Sequence, residues 1–455
     1  MNHFIEIDQL DLADPDQTGI YEHGWQSWSP TGLHPASGTS PRPIHHWQQT
    51  MRYRPGSPPP KRGFQAEGLL AVQPTGGAAL KVYAASEPGH EVASIRARLE
   101  DNTLLVAANG PVRAVEVHGG LEDALISFGD ELGTTLGARP RPAPTVWCSW
   151  YHYFLDVSPD DILENLQEIE YHDLPVDVVQ IDDGWNAGVG DWLASSPRFT
   201  SVTNISDRIH DSGRRPGIWL APFIAGANSE LAREHPDWLV GDAGHNWKQQ
   251  LFGLDLTHPG VQGYLRRVFE ALREQGYDYF KLDFLYGGAL PGRRHLHQSP
   301  VEAYRTGLQV IREAVGPSAH LTACGAPILP SVGLVDAMRV SADTFNPADP
   351  DNGEDVLRGR PAIEARAWQQ GRLWVNDPDC LVARPQFAGR EAWASVILRY
   401  GGLRSVSDRL RDLDDWGLET TRAVLASAPP PIPFPSLPDL GGGSIPVSTP
   451  DAGTS

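Results

Sequence analysis

The sequence predicts a (β/α)₈ barrel over residues 141–425, preceded by a smaller β-sandwich-like domain over 1–140. Three observations carry this. From Thr145 onward, apolar runs of five to nine residues alternate with helical segments, and the pair recurs eight times. Strand–helix alternation implies parallel strands joined by crossover helices, and eight units in about 280 residues match a closed barrel in count and size. No Gly-rich phosphate loop follows an early strand, as an open doubly wound sheet would require.

Residues 1–140 read as β because short alternating runs at 80–85, 92–99, 103–108 and 112–117 are separated by Gly, Pro and Asn. Residues 137–144, Gly-Ala-Arg-Pro-Arg-Pro-Ala-Pro, read as a linker. The barrel strands are expected at 145–151, 176–182, 215–223, 279–284, 320–325, 337–342, 373–377 and 403–407. Helices are expected at 159–172, 261–275, 300–315, 354–370 and 386–400. Ser158 with Asp161 is close to a capping box, and Gly276 and Gly316 sit where helix C-caps belong. Residues 426–455 hold a Pro-rich stretch and a Gly441-Gly442-Gly443 run, so they are expected to form a disordered tail.

Composition narrows the function. The chain has 455 residues, 40% hydrophobic and 21% charged, an ordinary globular balance with enough apolar content for a core. Asp and Glu outnumber Lys and Arg by 57 to 37, and a net charge of −20 repels nucleic acid and anionic membranes alike. Three cysteines (Cys148, Cys324 and Cys380) cannot form a disulfide framework, and they read as small buried side chains. The first residues lack the basic and apolar regions of a secretory signal, and no run of about 18 apolar residues occurs. A soluble, cytoplasmic protein is expected. Fourteen tryptophans are many for this length, and aromatic faces suit both cores and sugar surfaces.

In a barrel, the chemistry sits at the C-terminal strand ends. Six of the eight predicted ends carry acids, bases or amides. Helix N-capping accounts for Asp408 and Asp377. It does not account for Asp283, which stands inside an apolar run two residues after Lys281. That spacing puts both side chains on one face, toward the barrel interior, where the Lys charge would hold the Asp ionised. Arg339 and Asp343 also share parity, on strand six. Two carboxylates across one rim are what glycoside hydrolysis needs: one attacks or activates water, and the other protonates the leaving oxygen. A Schiff-base role for Lys281 is disfavoured by Asp283 beside it. A metal site is disfavoured because His152 and His320 do not cluster and no HExxH occurs. No metal or cofactor is expected.

At these residues the sequence resembles the α-galactosidases of glycoside hydrolase family 36. The matching stretches are Trp147-Cys148-Ser149-Trp150-Tyr151, Ile181-Asp182-Asp183-Gly184-Trp185, Gly217-Ile218-Trp219-Leu220-Ala221-Pro222-Phe223, His235-Pro236-Asp237-Trp238, Lys281-Leu282-Asp283 and Arg339-Val340-Ser341-Ala342-Asp343, with Gly24-Trp25-Gln26-Ser27-Trp28-Ser29-Pro30 in the first domain. The resemblance spans most of residues 20–410. It implies a retaining double displacement on terminal α-linked galactose, with an α-galactoside oligosaccharide of the raffinose or melibiose type as substrate. By position, Asp283 would be the nucleophile and Asp343 the acid/base. Asp182 and Asp183 would bind the hydroxyls that distinguish galactose, while Lys281 and Arg339 hold further hydroxyls and the nucleophile's charge. Trp219, Trp150 or Tyr151 would wall the subsite, with Trp28 reaching in from the first domain. The first domain is shorter than in large members, and only the tail follows the barrel. Cys324-Gly325-Ala326-Pro327 replaces the family's Cys and Ser/Gly-rich run near the sugar. That departure keeps an α-N-acetylgalactosaminidase or a galactosyl-transferring enzyme in view, beside a non-catalytic galactoside-binding protein.

Overall fold

The computed structural model describes residues 3–43, 45–75, 79–199, 202–344 and 359–429. The expected tail from residue 430 onward, and positions 354–358 of the expected helix 354–370, lie outside the described residues.

Two antiparallel sheets form the first part of the chain. One orders Ile5–Asp11, Thr103–Ala108, Ser94–Glu100 and Phe64–Glu67; the other orders Gly32–Pro35, Gly19–Glu22, Leu69–Gln73, Leu80–Ala85 and Val112–Val117. Side chains alternate along a strand, so each sheet sends one face into a shared core of Ile20, Phe64, Leu70, Val72, Tyr83, Ile95, Leu104 and Val106. The opposite face of the five-stranded sheet contributes Tyr21, Leu69, Ala71, Val82 and Ala84 to the barrel's core. The all-β reading of this part missed a helix, Leu121–Leu136, which buries Leu121, Leu125, Phe128 and Leu132 at helical spacing.

The barrel sheet has eight parallel strands: Val146–Cys148, Val178–Ile181, Arg215–Leu220, Tyr279–Leu282, His320–Ala323, Ala337–Arg339, Val375–Asp377 and Ser405–Val406. Strands one to six each pair with the next in sequence, and the first also pairs with the eighth. The ring closes through a Leu381–Val406 bridge and through the Gly402 and Leu403 amides, which donate to the Asn376 carbonyl. Ser158 and Asp161 form the expected reciprocal cap on helix Pro159–Tyr171. Helices Val202–Asp211 and Asp415–Ala426 were not anticipated. Nor was a small antiparallel sheet inserted after strand three, ordered Ile224–Gly226, Gln249–Leu254, Leu239–Asn246. Its hairpin turns through Trp247 and Lys248, both at positive φ (47° and 58°), the twist that two-residue hairpin loops favour. None of the described helices is long and apolar enough to cross a membrane.

The first domain docks on the barrel through the loop 24–30. The Ser27 amide donates to the Ala326 carbonyl (3.1 Å), and the Ile328 amide donates to the Trp25 carbonyl (2.9 Å). Beneath that loop lies Arg366, fully buried. Its Nη1 donates to the Ser27 and Val340 carbonyls (2.7 and 2.9 Å), and its Nη2 to those of Gln26 and Ser29 (2.9 and 3.2 Å). Burial without a carboxylate partner pushes its pKa down to about 10, so it remains charged at neutral pH. A cavity of about 410 Å³ opens at the opposite, N-terminal end of the barrel, beside Arg141, Arg215 and His320. Its guanidiniums are engaged by Asp336 (2.8 Å) and Asp278 (3.0 Å).

Arg366→Ala strands the buried Ser27, Ser29 and Val340 carbonyls, each costing about 1–3 kcal/mol unpaired, while the Gln26 carbonyl keeps the Ser29 amide. A loss of at least about 3 kcal/mol is expected in urea denaturation. A change below about 1 kcal/mol would show that the loop is held by other contacts.

Candidate active site

Strand four ends in Lys281-Leu282-Asp283, inside the barrel mouth. Lys281, Asp283 and Arg339 are all buried. Asp283 Oδ2 accepts from Trp219 Nε1 (3.1 Å), and Oδ1 accepts from the Phe284 amide (2.8 Å). Phe284 sits at φ 50°, in the left-handed region, so the chain turns sharply just past this carboxylate. The expected pairing of Lys281 with Asp283 is not what the structure shows. Lys281 Nζ reaches across to Asp182 Oδ2 (2.9 Å), and this charge raises the lysine pKa well above its usual value against the opposing pull of burial.

Strand two ends in Asp182-Asp183. Asp182 also accepts from Gln180 Nε2 (2.6 Å), Cys148 Sγ (3.3 Å) and the Asp183 amide (3.0 Å). Asp183 Oδ1 accepts from the Gly184 amide (2.8 Å) and Asn186 Nδ2 (3.0 Å), and Oδ2 from Trp247 Nε1 (2.8 Å). Burial pushes the Asp183 pKa up to about 6, although these donors pull it down.

Strand six ends at Arg339. Its Nη1 meets Asp343 (3.0 Å), its Nε meets Asp377 (3.4 Å) and its Nη2 meets Asp379 (2.6 Å). Asp343 lies beyond the strand, on the following turn, with 35% of its side chain exposed. Its pKa rises to about 6: burial raises it, Arg339 lowers it, and the like charges of Asp379 and Asp283 raise it again. Two Asp residues read as helix caps are not caps. Asp377 accepts from Arg339 and the Asp379 amide, and Asp408 from the Ala383 amide and Arg384.

The aromatic residues divide. Trp28 meets Phe284 edge-on (5.1 Å) and Tyr286 (6.1 Å), and Trp247 meets Phe284 (5.0 Å) and Trp219 (6.3 Å). The first domain, strand four and the inserted hairpin thus build one wall beside Asp283. Tyr151 is buried and its hydroxyl donates to Asp379. Trp150 meets Phe154 (5.2 Å), and none of its described contacts reaches the carboxylates. Cys324 is buried at the strand-five end, and burial raises its thiol pKa. Sequence reasoning missed Trp247 and Asp379 as members of this cluster. A usable signal for Trp247 was Asn246-Trp247-Lys248-Gln249, a polar turn between alternating runs. Among the described residues, no group of three or more His, Cys, Asp or Glu side chains is arranged to hold a metal ion.

Residues 136–311 match the Melibiase family model. These residues are a melibiase domain. The melibiase domain holds Asp182, Asp183, Trp219, Trp247, Lys281 and Asp283; Arg339, Asp343, Asp377 and Asp379 follow it in the chain. Over 93% of its length the chain is similar to the α-galactosidase TtGalA of Thermus thermophilus, solved with p-nitrophenyl α-D-galactopyranoside. Identity is 26%, the TM-score is 0.78 and 89% of that chain is covered. AgaA, a family 36 α-galactosidase of Geobacillus stearothermophilus, shares the fold at 15% identity and TM-score 0.61, over 92% of this chain and 62% of that one. The bifunctional α-galactosidase/sucrose kinase AgaSK of Mediterraneibacter gnavus is 30% identical over 152 residues, 31% of this chain and 16% of that protein. Probable α-galactosidase C of Aspergillus flavus is 28% identical over 178 residues, 34% of this chain and 22% of that protein. The chain therefore aligns with less than a quarter of the length of these two curated relatives.

Gly325 follows strand five at φ 52°, and a Cβ there would lie 2.9 Å from the Trp28 ring and 3.1 Å from the Phe284 amide. Gly325→Ala is expected to push Trp28 out of the wall and to add about 1–2 kcal/mol of backbone strain. Trp28-dependent fluorescence, read against Trp28→Phe, should shift. Unchanged fluorescence and stability would show that the close approach is not structural.

Proposed function

We propose that this protein is a retaining α-galactosidase, removing terminal α-linked galactose from oligosaccharides of the raffinose or melibiose type. The observation that carries this reading is the joint placement of Asp283 and Asp343. Asp283 follows strand four and Asp343 follows strand six, with strand five between them, close enough for the Asp283 charge to act on Asp343, in a chain 26% identical over 93% of its length to an α-galactosidase.

The chemistry follows the environments. Asp283 takes two neutral donors, from Trp219 and the Phe284 amide, and is the nucleophile. It attacks the anomeric carbon as the glycosidic C–O bond breaks. Asp343, with its pKa near 6, holds the proton that passes to the leaving oxygen. Asp343, now ionised, takes a proton from water as the water oxygen bonds to the same carbon. The Asp283 ester breaks and galactose leaves with its α configuration. Asp182 and Asp183 accept sugar hydroxyls. Asp182 Oδ1, with the Asp183 amide, and Asp183 Oδ2, with Trp247, each have one donor among the described residues and so have capacity to spare. Trp28, Phe284 and Trp247 supply the apolar face, while Lys281 and Arg339 offset the acidic charge.

Aryl α-galactoside, aryl α-N-acetylgalactosaminide and aryl α-glucoside assayed side by side test the substrate. The galactoside should be preferred over the glucoside by up to roughly 10⁴-fold, because an equatorial O4 leaves a buried carboxylate unpaired. Equal cleavage of both would overturn the substrate assignment. Preference for the acetamidosugar would give the enzyme to the alternative reading.

The pH profile follows from Asp343. Glycosyl transfer needs its carboxyl protonated, so kcat/KM should fall as pH rises through about 6. Asp283→Ala should abolish turnover on every substrate. Asp343→Ala should lose the upper limb and be least damaging on nitrophenyl galactosides, whose leaving group needs little protonation. Equal losses on good and poor leaving groups would contradict the acid assignment.

A further inference from the structure

The turn that carries Asp343 lies beyond the end of strand six. Strand six ends at Arg339, and among the described residues the side chain of Asp343 has one hydrogen-bond partner, Arg339. What fixes the turn is the segment after strand seven. Ser341 Oγ donates to the Pro378 carbonyl (3.0 Å), and the Val340 amide donates to the Asp377 carbonyl (2.9 Å). Thr344 then gives both its amide and its hydroxyl hydrogen to Asp379 Oδ2, each at 2.8 Å.

Asp379 is fully buried. It adopts φ 103°, a conformation that residues with a side chain rarely take. Such strain persists only where surrounding contacts enforce it. Oδ1 accepts from the Cys380 amide (2.8 Å) and Arg339 Nη2 (2.6 Å), and Oδ2 accepts from Tyr151 as well as Thr344. No lone pair is left to attack or protonate a substrate.

We propose that Asp379 is the positioning residue of Asp343: it anchors the Asp343 turn through Thr344 and shares Arg339 with it, so that Asp343 is held in place and kept able to carry a proton. This rests on the reading of Asp343 as acid/base. The charge argument is direct. A guanidinium at 3.0 Å would by itself hold Asp343 ionised, which an acid catalyst cannot use. Asp379 binds the same guanidinium more closely, at 2.6 Å, and Asp377 takes its Nε at 3.4 Å. The groups acting on Asp343 are Arg339 at the end of strand six, Asp379 just after strand seven, and Lys281 and Asp283 at the end of strand four. Tyr151 and Cys324 feel its charge from strands one and five. Loss of the Asp379 charge removes a like charge and leaves Arg339 less neutralised. Both changes lower the Asp343 pKa.

The test compares wild type with Asp379→Asn on raffinose and on p-nitrophenyl α-galactoside, with pH profiles and added azide. An amide carries no charge and can accept from the Arg339 side or the Thr344 side but not both, so the charge and at least one of the two anchors are lost. Raffinose turnover should fall roughly 10²-fold or more, and kcat/KM on the aryl substrate under about tenfold. On the aryl substrate kcat and KM should fall together, because removal of the intermediate needs Asp343 as base. Azide, which needs no base, should restore kcat. The upper pH limb should move to lower pH. Equal losses on both substrates, with no azide rescue and an unmoved limb, would overturn the proposal and leave Asp379 merely structural. Thr344→Val, which removes one of these hydrogens and keeps the Asp379 charge, decides the matter if Asp379→Asn does not fold. The same substrate skew at smaller size supports positioning, and equal losses overturn it. Wild-type protein inert toward both substrates would instead overturn the underlying reading.

Discussion

A single buried guanidinium organises the mouth of this barrel. Arg339 holds Asp343, Asp377 and Asp379 within 3.4 Å. Asp182, Asp183 and Asp283 face them from strands two and four, with Lys281 as the other buried cation. Six carboxylates against two cations cannot all remain ionised away from water, because like charges at short range each raise the cost of the other. The excess is relieved where the pKa values of Asp343 and Asp183 rise to about 6. A proton held near neutral pH is therefore a consequence of burial first and of the neighbouring carboxylate charges second, and that proton is what a glycosidase acid needs.

The second constraint is geometric. The aromatic wall beside Asp283 is built from three places in the chain. Trp28 stands on a loop of the first domain, held by hydrogen bonds to residues 326–328 and by Arg366 from below. Trp247 stands at the tip of a hairpin whose turn is stabilised by the Asp183 bond to its indole. Phe284 supplies the shared face. Docking of the two domains and completion of the site are thus one event. A buried Arg that donates only to backbone carbonyls is costly, and its position under the Trp28 loop gives that cost a purpose.

Much of this was legible in the sequence, for physical reasons. The eight strands announced themselves because parallel strands buried on both faces read as continuous apolar runs. Asp283 stood out because an acid inside such a run needs a reason. The pairings were less legible. Lys281 shares a face with Asp283, yet its ammonium extends to Asp182, because parity fixes a face and not a partner. Arg339 and Asp343 were placed on one strand, but the strand ends at Arg339 and a turn carries the acid. Asp377 looked like an ordinary helix cap, since nothing local distinguishes a cap from a carboxylate that holds an arginine from another strand. Trp247 was invisible because an inserted hairpin obeys no barrel period.

The central claim is that Asp283 forms a covalent bond to galactose. Incubation with a fluorinated galactosyl substrate whose enzyme-bound intermediate accumulates, followed by peptide mass mapping, tests it most directly. One galactosyl unit should be found on the peptide containing Asp283, and it should turn over on addition of an acceptor. A label on any other carboxylate, or unlabelled enzyme that still hydrolyses the substrate, would contradict the account.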